Sequence, residues 1–287
     1  MKTSTEIASA AKHIGEERAI ELIAKAGFDA WDFSMFEMAR FDYKNRCIIE
    51  SSHPLSGAGY ADFAKRLARI GHDFGIECNQ SHAPFPVYCK EIRSYLKRAI
   101  ECTAIAGGKI CVIHPDNNKS HEENAEMFLE LLPFAKECGV KIATENMWNW
   151  DFENDQVKFA ACMTPESFTA HLDAVNDDSF IACLDLGHAE MRGTGTSAVE
   201  LIHALGNRLG ALHIHDNDKW HDSHAIPRSM DMDYDAIIKA LKEIGYDGYF
   251  TFEADQHLSG FTADNIHVGI KELADSAREL AEAFEKL

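Results

Sequence analysis

Residues 180–188, Phe-Ile-Ala-Cys-Leu-Asp-Leu-Gly-His, and residues 210–216, Gly-Ala-Leu-His-Ile-His-Asp, are two β-rich runs separated by an amphipathic stretch over 196–206. Side chains of a strand alternate between its two faces. Leu184 and Leu186 therefore share one face and leave Asp185 on the other; Leu212 and Ile214 do the same for His213 and His215. An apolar face for a helix layer, with polar residues gathered at the C-terminal end of the strand, is the pattern of a parallel α/β unit.

The same unit recurs along the chain. Strands are expected at 2–7, 28–34, 76–82, 109–114, 141–146, 180–186, 210–215 and 248–254. Helical spacing of apolar residues is found at 16–26, 60–74, 88–106, 121–138, 164–175, 196–206, 233–244 and 264–285. Gly27, Gly75, Gly139 and Gly245 each follow a helical run, where a C-terminal stop belongs. Thr164-Pro165-Glu166 has the form of an N-cap followed by proline in the first turn. The repeats predict an α/β fold of the closed (β/α)8 TIM-barrel type, as one domain over residues 1–287. A doubly wound sheet usually carries a glycine-rich turn after its first strand, and Ser4-Thr5-Glu6-Ile7 has none. The polar stretch 40–59 is expected to form a loop over the barrel mouth.

Composition narrows the function. Lys and Arg number 28 against 47 Asp and Glu, a net charge of −19. Such a surface repels phosphate backbones and anionic lipid, so neither nucleic acid nor membrane is an expected partner. No apolar run is long enough to span a bilayer and no signal peptide is evident. The 8 cysteines form no C-x-x-C pair, and Cys111 and Cys183 lie in apolar runs, which suits the reducing cytoplasm.

In a barrel, chemistry sits at the C-terminal ends of the strands. Here His82, His114, Glu145, Asp185, His213, His215 and Glu253 fall at those ends, with His188 just beyond one of them. Alternation within 249–253 puts Phe250 and Phe252 against helices and turns Glu253 inward. Glu145, Asp185, His213 and Glu253 converging on one axis would repel one another without a cation; the alternative is a buried hydrogen-bonded carboxylate network. An oxygen-rich set with one imidazole suits Mn²⁺, Mg²⁺ or Co²⁺. Crowded carboxylates are also expected to raise the pKa of one member toward the range of an acid–base residue. Trp31, Phe33, Trp148 and Trp150 lie near strand ends, where they either stack on a ligand or pack in the core.

The segments Thr144-Glu145-Asn146, Cys183-Leu184-Asp185-Leu186-Gly187-His188-Ala189, Leu212-His213-Ile214-His215-Asp216-Asn217-Asp218 and Phe252-Glu253-Ala254 carry a resemblance to a known family. The sequence resembles the xylose isomerase-like barrels, and within them the sugar phosphate isomerase/epimerase group. That resemblance implies a divalent metal, with Mn²⁺ first and Zn²⁺ also possible, held by Glu145, Asp185, His213 and Glu253. It implies that His188 touches substrate oxygens; His82, His114 and His215 at the strand ends and Trp148 in a polar loop are further candidate substrate contacts. The endonuclease IV branch binds a zinc cluster through additional ligands, and His82, His114, His188 and the Asp222-Ser223-His224 segment resemble those positions. Asp222 and His224 are thus candidates for a further metal. The loop Pro227-Arg228-Ser229-Met230-Asp231-Met232-Asp233 departs from the family by lacking its two glycines, so a different loop backbone is expected, and Arg228 is a candidate contact for a substrate oxygen.

The chemistry implied is that of a metal-dependent isomerase or epimerase of the ketose 3-epimerase kind. Protons would be transferred next to a ketose carbonyl, with Glu145 and Glu253 as the acid–base pair. An inosose dehydratase-like elimination or an aldose–ketose isomerisation would use the same site. A zinc-cluster phosphodiesterase and a non-catalytic sugar-binding barrel are the remaining alternatives. The expected partner is a small sugar or polyol, since no phosphate cradle is visible, and a homo-oligomer is compatible with the sequence.

Overall fold

The computed structural model describes residues 1–49 and 51–287. Eight parallel strands form one sheet: β1 (Thr3–Glu6), β2 (Ala30–Ser34), β3 (Glu77–His82), β4 (Ile110–Val112), β5 (Lys141–Glu145), β6 (Phe180–Asp185), β7 (Leu209–His213) and β8 (Phe250–Phe252). The ladder runs from β7 through β6, β5, β4, β3, β2 and β1 to β8. The remaining seam, between β7 and β8, is joined by a parallel bridge from Ile214 to Phe252. There Ile214 N donates to Thr251 O and Glu253 N donates to Ile214 O. The ring is a (β/α)8 barrel.

Helices Glu16–Ala26, Tyr60–Asp73, Ile92–Ala106, His121–Glu137, Pro165–Val175, Ala198–Leu205, Tyr234–Glu243 and Ile266–Lys286 accompany the strands, within a few residues of the expected bounds. Thr164 caps its helix by accepting from Ser167 N, with Pro165 at the start. Gly27 and Gly139 adopt φ 107° and 68°, the left-handed stop that glycine makes at least cost. The apolar layer between strands and helices holds Phe250, Phe252, Leu212 and Ile214, as alternation predicts. Among the described residues, no helix is long and apolar enough to cross a membrane.

The barrel interior has two unlike halves. Val112, Ala143, Cys183 and Ala211 make a small apolar plug between β4 and β7. The other half is polar. Asn79 Nδ2 donates to Thr251 Oγ1 at 3.0 Å, Ser4 Oγ donates to Asn79 Oδ1 at 2.6 Å, and Gln80 Nε2 donates to Asp32 Oδ2 at 2.9 Å.

Two register shifts aim the site histidines. Along the β2–β3 pair, Trp31 faces Cys78 but Asp32 faces Gln80, so Asn79 is extra. Cys78 packs in the outer layer, whereas Gln80 reaches Asp32 inside. A bulge changes which face later residues take, and His82 follows Gln80 inward. In β7, Ala182 pairs with Leu209 and Cys183 with Ala211, which skips Gly210. Leu209 packs outward, while Ala211 and then His213 turn in. A Cβ on Gly210 would lie 2.5 Å from Ile181 Cδ1, so a side chain there would have to displace the tip of Ile181.

The stretch 40–59 differs from the expected loop. It contains an antiparallel hairpin, Arg40–Asp42 with Cys47–Ile49, although position 50 lies outside the described residues. A second hairpin, Asn149–Asp151 with Gln156–Lys158, and helices Ala8–Ile14, Leu186–Glu190 and Asp255–Leu258 were also not expected. Trp31 and Phe33 belong to the core and not to a ligand surface, because alternation turns both outward and leaves Asp32 inside. Trp31 is fully buried, its Nε1 only 2.8 Å from where a Cβ on Gly71 would sit. Trp31→Ala should therefore cost about 3–5 kcal/mol. Urea unfolding with loss under about 1 kcal/mol would refute this packing role.

Candidate metal centre and cleft

β5, β6 and β7 end on Glu145, Asp185 and His213, and Glu253 follows β8 directly. One ligand atom from each lies within 4.8 Å of all the others. His213 Nδ1 is 2.8 Å from Glu145 Oε1 and 3.3 Å from Glu253 Oε2. Its other nitrogen points down the barrel toward Asp32 Oδ2, 3.6 Å away, and Gln80 holds that carboxylate. A carboxylate behind a ligating histidine fixes its ring orientation. Asn146 extends the β5–β6 pairing by a two-way clamp: its Nδ2 donates to Asp185 O at 2.9 Å and its Oδ1 accepts from Asp185 N at 2.8 Å.

Two further groups flank this one. His82 and His114 meet Glu145 on one side, with His114 Nε2 3.2 Å from Glu145 Oε2 and 2.7 Å from His82 Nε2. On the other side His188, His215, Asp222 and His224 converge. His188 Nδ1 is anchored 2.8 Å from Asn146 O, which turns Nε2 toward Asp222 Oδ2 at 3.3 Å. Asp185 joins the groups, since its Oδ1 accepts from His188 N at 2.7 Å and lies 3.0 Å from His215 Nε2. The rings of His215 and His224 stack at 3.9 Å with 5° between planes. Gly187 makes this possible: a Cβ there would fall 2.0 Å from His215 Cε1.

Burial alone would raise the carboxylates and lower the imidazoles. At Glu145 burial is opposed by His213 and His114, which hold it well below the usual carboxylate range. Glu253 is likewise burdened by burial but lowered by His213 and His82. His188 goes up to about 10, because Asp185 and Asp222 outweigh its burial. For His224, Asp222 does the same and carries it to about 11. The expected rise of one crowded carboxylate is thus absent from Glu145 and Glu253; imidazoles balance them. The donors nevertheless fit a cation. Glu145 Oε2, His82 Nδ1, His215 Nδ1 and Asp222 Oδ1 are buried without a hydrogen-bond partner. Unpaired buried donors and acceptors of this kind are costly, and oxygen and imidazole ligands suit a divalent ion.

A cleft of about 650 Å³ opens above these groups. His82, His114, Glu145, Trp148, His188, Asp222, His224 and Glu253 reach its wall. Asp185, His213 and His215 lie beneath it, fully buried. His215 therefore supports Asp185 and His224 from below, in contrast to the substrate contact expected of it. Trp148 Nε1 donates to Asp222 Oδ2 at 3.3 Å. Trp150 packs behind it at 6.4 Å, outside the cleft wall. Arg228 is half-exposed and paired with Asp235, away from the cleft. It takes φ 67°, so the turn is made there without a glycine, and Asp216 ties the loop down by accepting from Met230 N at 3.0 Å and Met232 N at 3.2 Å.

Glu6 and Asp32 are not among the expected site residues, and Asn146 is expected only as part of the Thr144-Glu145-Asn146 segment. Alternation along Trp31-Asp32-Phe33 turns Asp32 inward. Glu6 ends β1 and lines the cleft, accepting from Ser9 N at 3.1 Å and from Ser34 Oγ at 3.3 Å. Burial pushes it up to about 7, against the hydrogen bonds from Ser9.

A family model described as xylose isomerase-like TIM barrel matches residues 20–287. An uncharacterised protein of Methanocaldococcus jannaschii is 27% identical over 255 residues, covering 82% of this chain and 78% of that protein. A crystal structure of a D-tagatose 3-epimerase-like protein shares 20% identity at TM-score 0.71, over 98% of this chain and 99% of that one. One of L-ribulose 3-epimerase shares 18% at TM-score 0.71, over 100% and 95%. At these identities the solved structures establish likeness of fold.

The raised Glu6 has a pH consequence. Its folded value of about 7 exceeds the ordinary 4.5, so the folded chain binds the proton more tightly. The stability this gives is present at acid pH and is lost as pH rises through about 7. In chelator, the parent should lose stability relative to Glu6→Gln between about pH 5 and 7. Parallel stability curves for the two proteins would contradict the shift.

Proposed function

The chain belongs to the xylose isomerase-like TIM-barrel family, and we propose that it is a metal-dependent ketose epimerase, a single barrel domain working by proton transfer next to the substrate carbonyl. The observation that carries this reading is the convergence of Glu145, Asp185, His213 and Glu253, with both glutamates also reaching the cleft. Those four residues would hold the ion, Mn²⁺ being preferred for an oxygen-rich set with one imidazole. When bound, a divalent cation supplies Lewis-acid polarisation of the carbonyl oxygen. Glu145 and Glu253 come from β5 and the end of β8, on different sides of the barrel. One carboxylate removes a proton from the carbon beside the carbonyl; the other returns a proton to the opposite face. His188, oriented by Asn146, presents Nε2 to a substrate hydroxyl, and Trp148 on the cleft wall keeps water from the reacting carbon. The solved relatives described as ketose epimerases support this reading by fold. A reducing cytoplasmic setting agrees with eight free thiols.

A second reading rests on the two flanking groups. His82, His114 and Glu145, and His188, His215, Asp222 and His224, have the composition of additional cation sites. A polynuclear centre would suit phosphodiester hydrolysis, but a net charge of −19 disfavours a nucleic-acid substrate. Metal stoichiometry separates the readings: about one equivalent of Mn²⁺ or Co²⁺ favours the epimerase, about three of zinc the hydrolase.

Asp185→Ala should lower bound metal while keeping the fold, and a chelator should then lower the melting temperature of the parent but not of the variant. Unchanged metal content would refute the ligand assignment. Glu145→Gln and Glu253→Gln should each lose about 100- to 10,000-fold in turnover while retaining much of the metal. One variant should still exchange the substrate's α-hydrogen with deuterated solvent without inverting it. Turnover of both within a few-fold of the parent would remove the acid–base assignment and make His188 the next candidate.

A further inference from the structure

The cleft is built for more than a free monosaccharide. A ketohexose has about a dozen heavy atoms, whereas clefts of about 300–1,000 Å³ serve drug-sized ligands; this one measures about 650 Å³. Its wall on the side of His82 and His114 is aromatic. Phe85 stacks on the His114 ring at 5.0 Å with 23° between planes. Phe36 stands edge-on to His82 at 4.8 Å and to Phe85 at 5.4 Å. Beyond them Phe41, on the Arg40–Asp42 strand, is set edge-on to Tyr43 at 5.1 Å and to Tyr88 at 5.0 Å. The Arg46 guanidinium, 5.6 Å from the Tyr88 ring, restrains that side chain further.

Tyr43, Phe85 and Tyr88 line the cleft yet are 68%, 41% and 39% exposed. Adjoining aromatic rings left in water mark a contact surface. Their placement says what they contact. Phe85 adjoins His114, which is 3.2 Å from Glu145 Oε2, so the run begins where the reacting sugar ends. A flat ring or the apolar face of a sugar gains by stacking on such side chains. On the proposed epimerase reading, the carbonyl must stay free beside Glu145 and Glu253, so any second ring must be attached elsewhere on the substrate.

We propose that the cleft accepts a ketose bearing a second ring, aryl or pyranose, linked away from its carbonyl, with that ring stacked between Phe85 and the Tyr43–Tyr88 pair. The aromatic run then acts as a specificity subsite separate from the cation ligands.

The test compares D-fructose with 6-O-benzyl-D-fructose and 6-O-glucosyl-D-fructose on the Mn²⁺-loaded full chain. Calorimetric titration reads affinity, and deuterium incorporation from solvent reads proton transfer. A substituted ketose should bind at least tenfold more tightly than fructose, and the arm that gains tells an aryl from a pyranose ring. Tyr88→Ala and Tyr43→Ala should shrink that preference at least fivefold, with melting temperatures showing that the variants fold. Equal affinity for all three ligands overturns the inference. So does a preference that survives in both variants, or a change in oligomeric state without a change in preference, which would make the face a contact between copies. Absence of exchange with every ketose would count against the epimerase reading alone, because the titration still reports on the subsite.

Discussion

Buried carboxylates must be neutralised, and in this barrel the neutralising groups are imidazoles. Glu145, Asp185, Asp222 and Glu253 are paired with His82, His114, His188, His213, His215 and His224 within the three ligand groups. Such a network is costly when half satisfied and rigid when complete. Much of the local architecture answers to that need. Bulges at Asn79 and Gly210 turn His82 and His213 inward. The Asn146 clamp fixes both Asp185 and His188. Gly187 gives up its side chain to admit the His215 ring. Tyr234 then holds the His215 backbone by donating to its carbonyl oxygen at 2.7 Å.

The charge balance also assigns work to groups by depth. Asp32 and His215 are sealed beneath the cleft floor, where Asp32 orients His213 and His215 supports Asp185 and His224. Glu145, His188 and Glu253 sit one level higher, on the wall of the cleft. Glu6 ends β1, the strand beside β8, with serine donors and, among the described residues, no imidazole hydrogen-bonded to it, while the nearby Asp255 and Glu253 carboxylates add to its rise. That difference in company is why burial dominates at Glu6 and loses at Glu145.

The barrel and the strand-end residues were legible in the sequence because they rest on short-range periodicity. Leu184-Asp185-Leu186 and Leu212-His213-Ile214 declare their faces by alternation alone. What escaped depends on partners distant in the chain. The hairpins have strands of three residues within polar stretches, too short to show a period. Helix Ala8–Ile14 begins without a side-chain cap, so no start signal precedes it. The raised Glu6 depends on burial and on Ser34 from another strand. The contrary behaviour of Glu145 required knowing which histidines surround it, and crowding by like charge was the wrong neighbourhood to assume.

The two hairpins stand outside the eight-stranded ring. The candidate cation ligands and the proposed acid–base groups lie on or near the ends of barrel strands, while Phe41 and Tyr43 ride on an insert between strands. Loops on a rigid scaffold tolerate exchange far better than the scaffold does. Descendants of this chain could therefore acquire new substrates by replacing inserts, with the reaction itself inherited unchanged from the strands below.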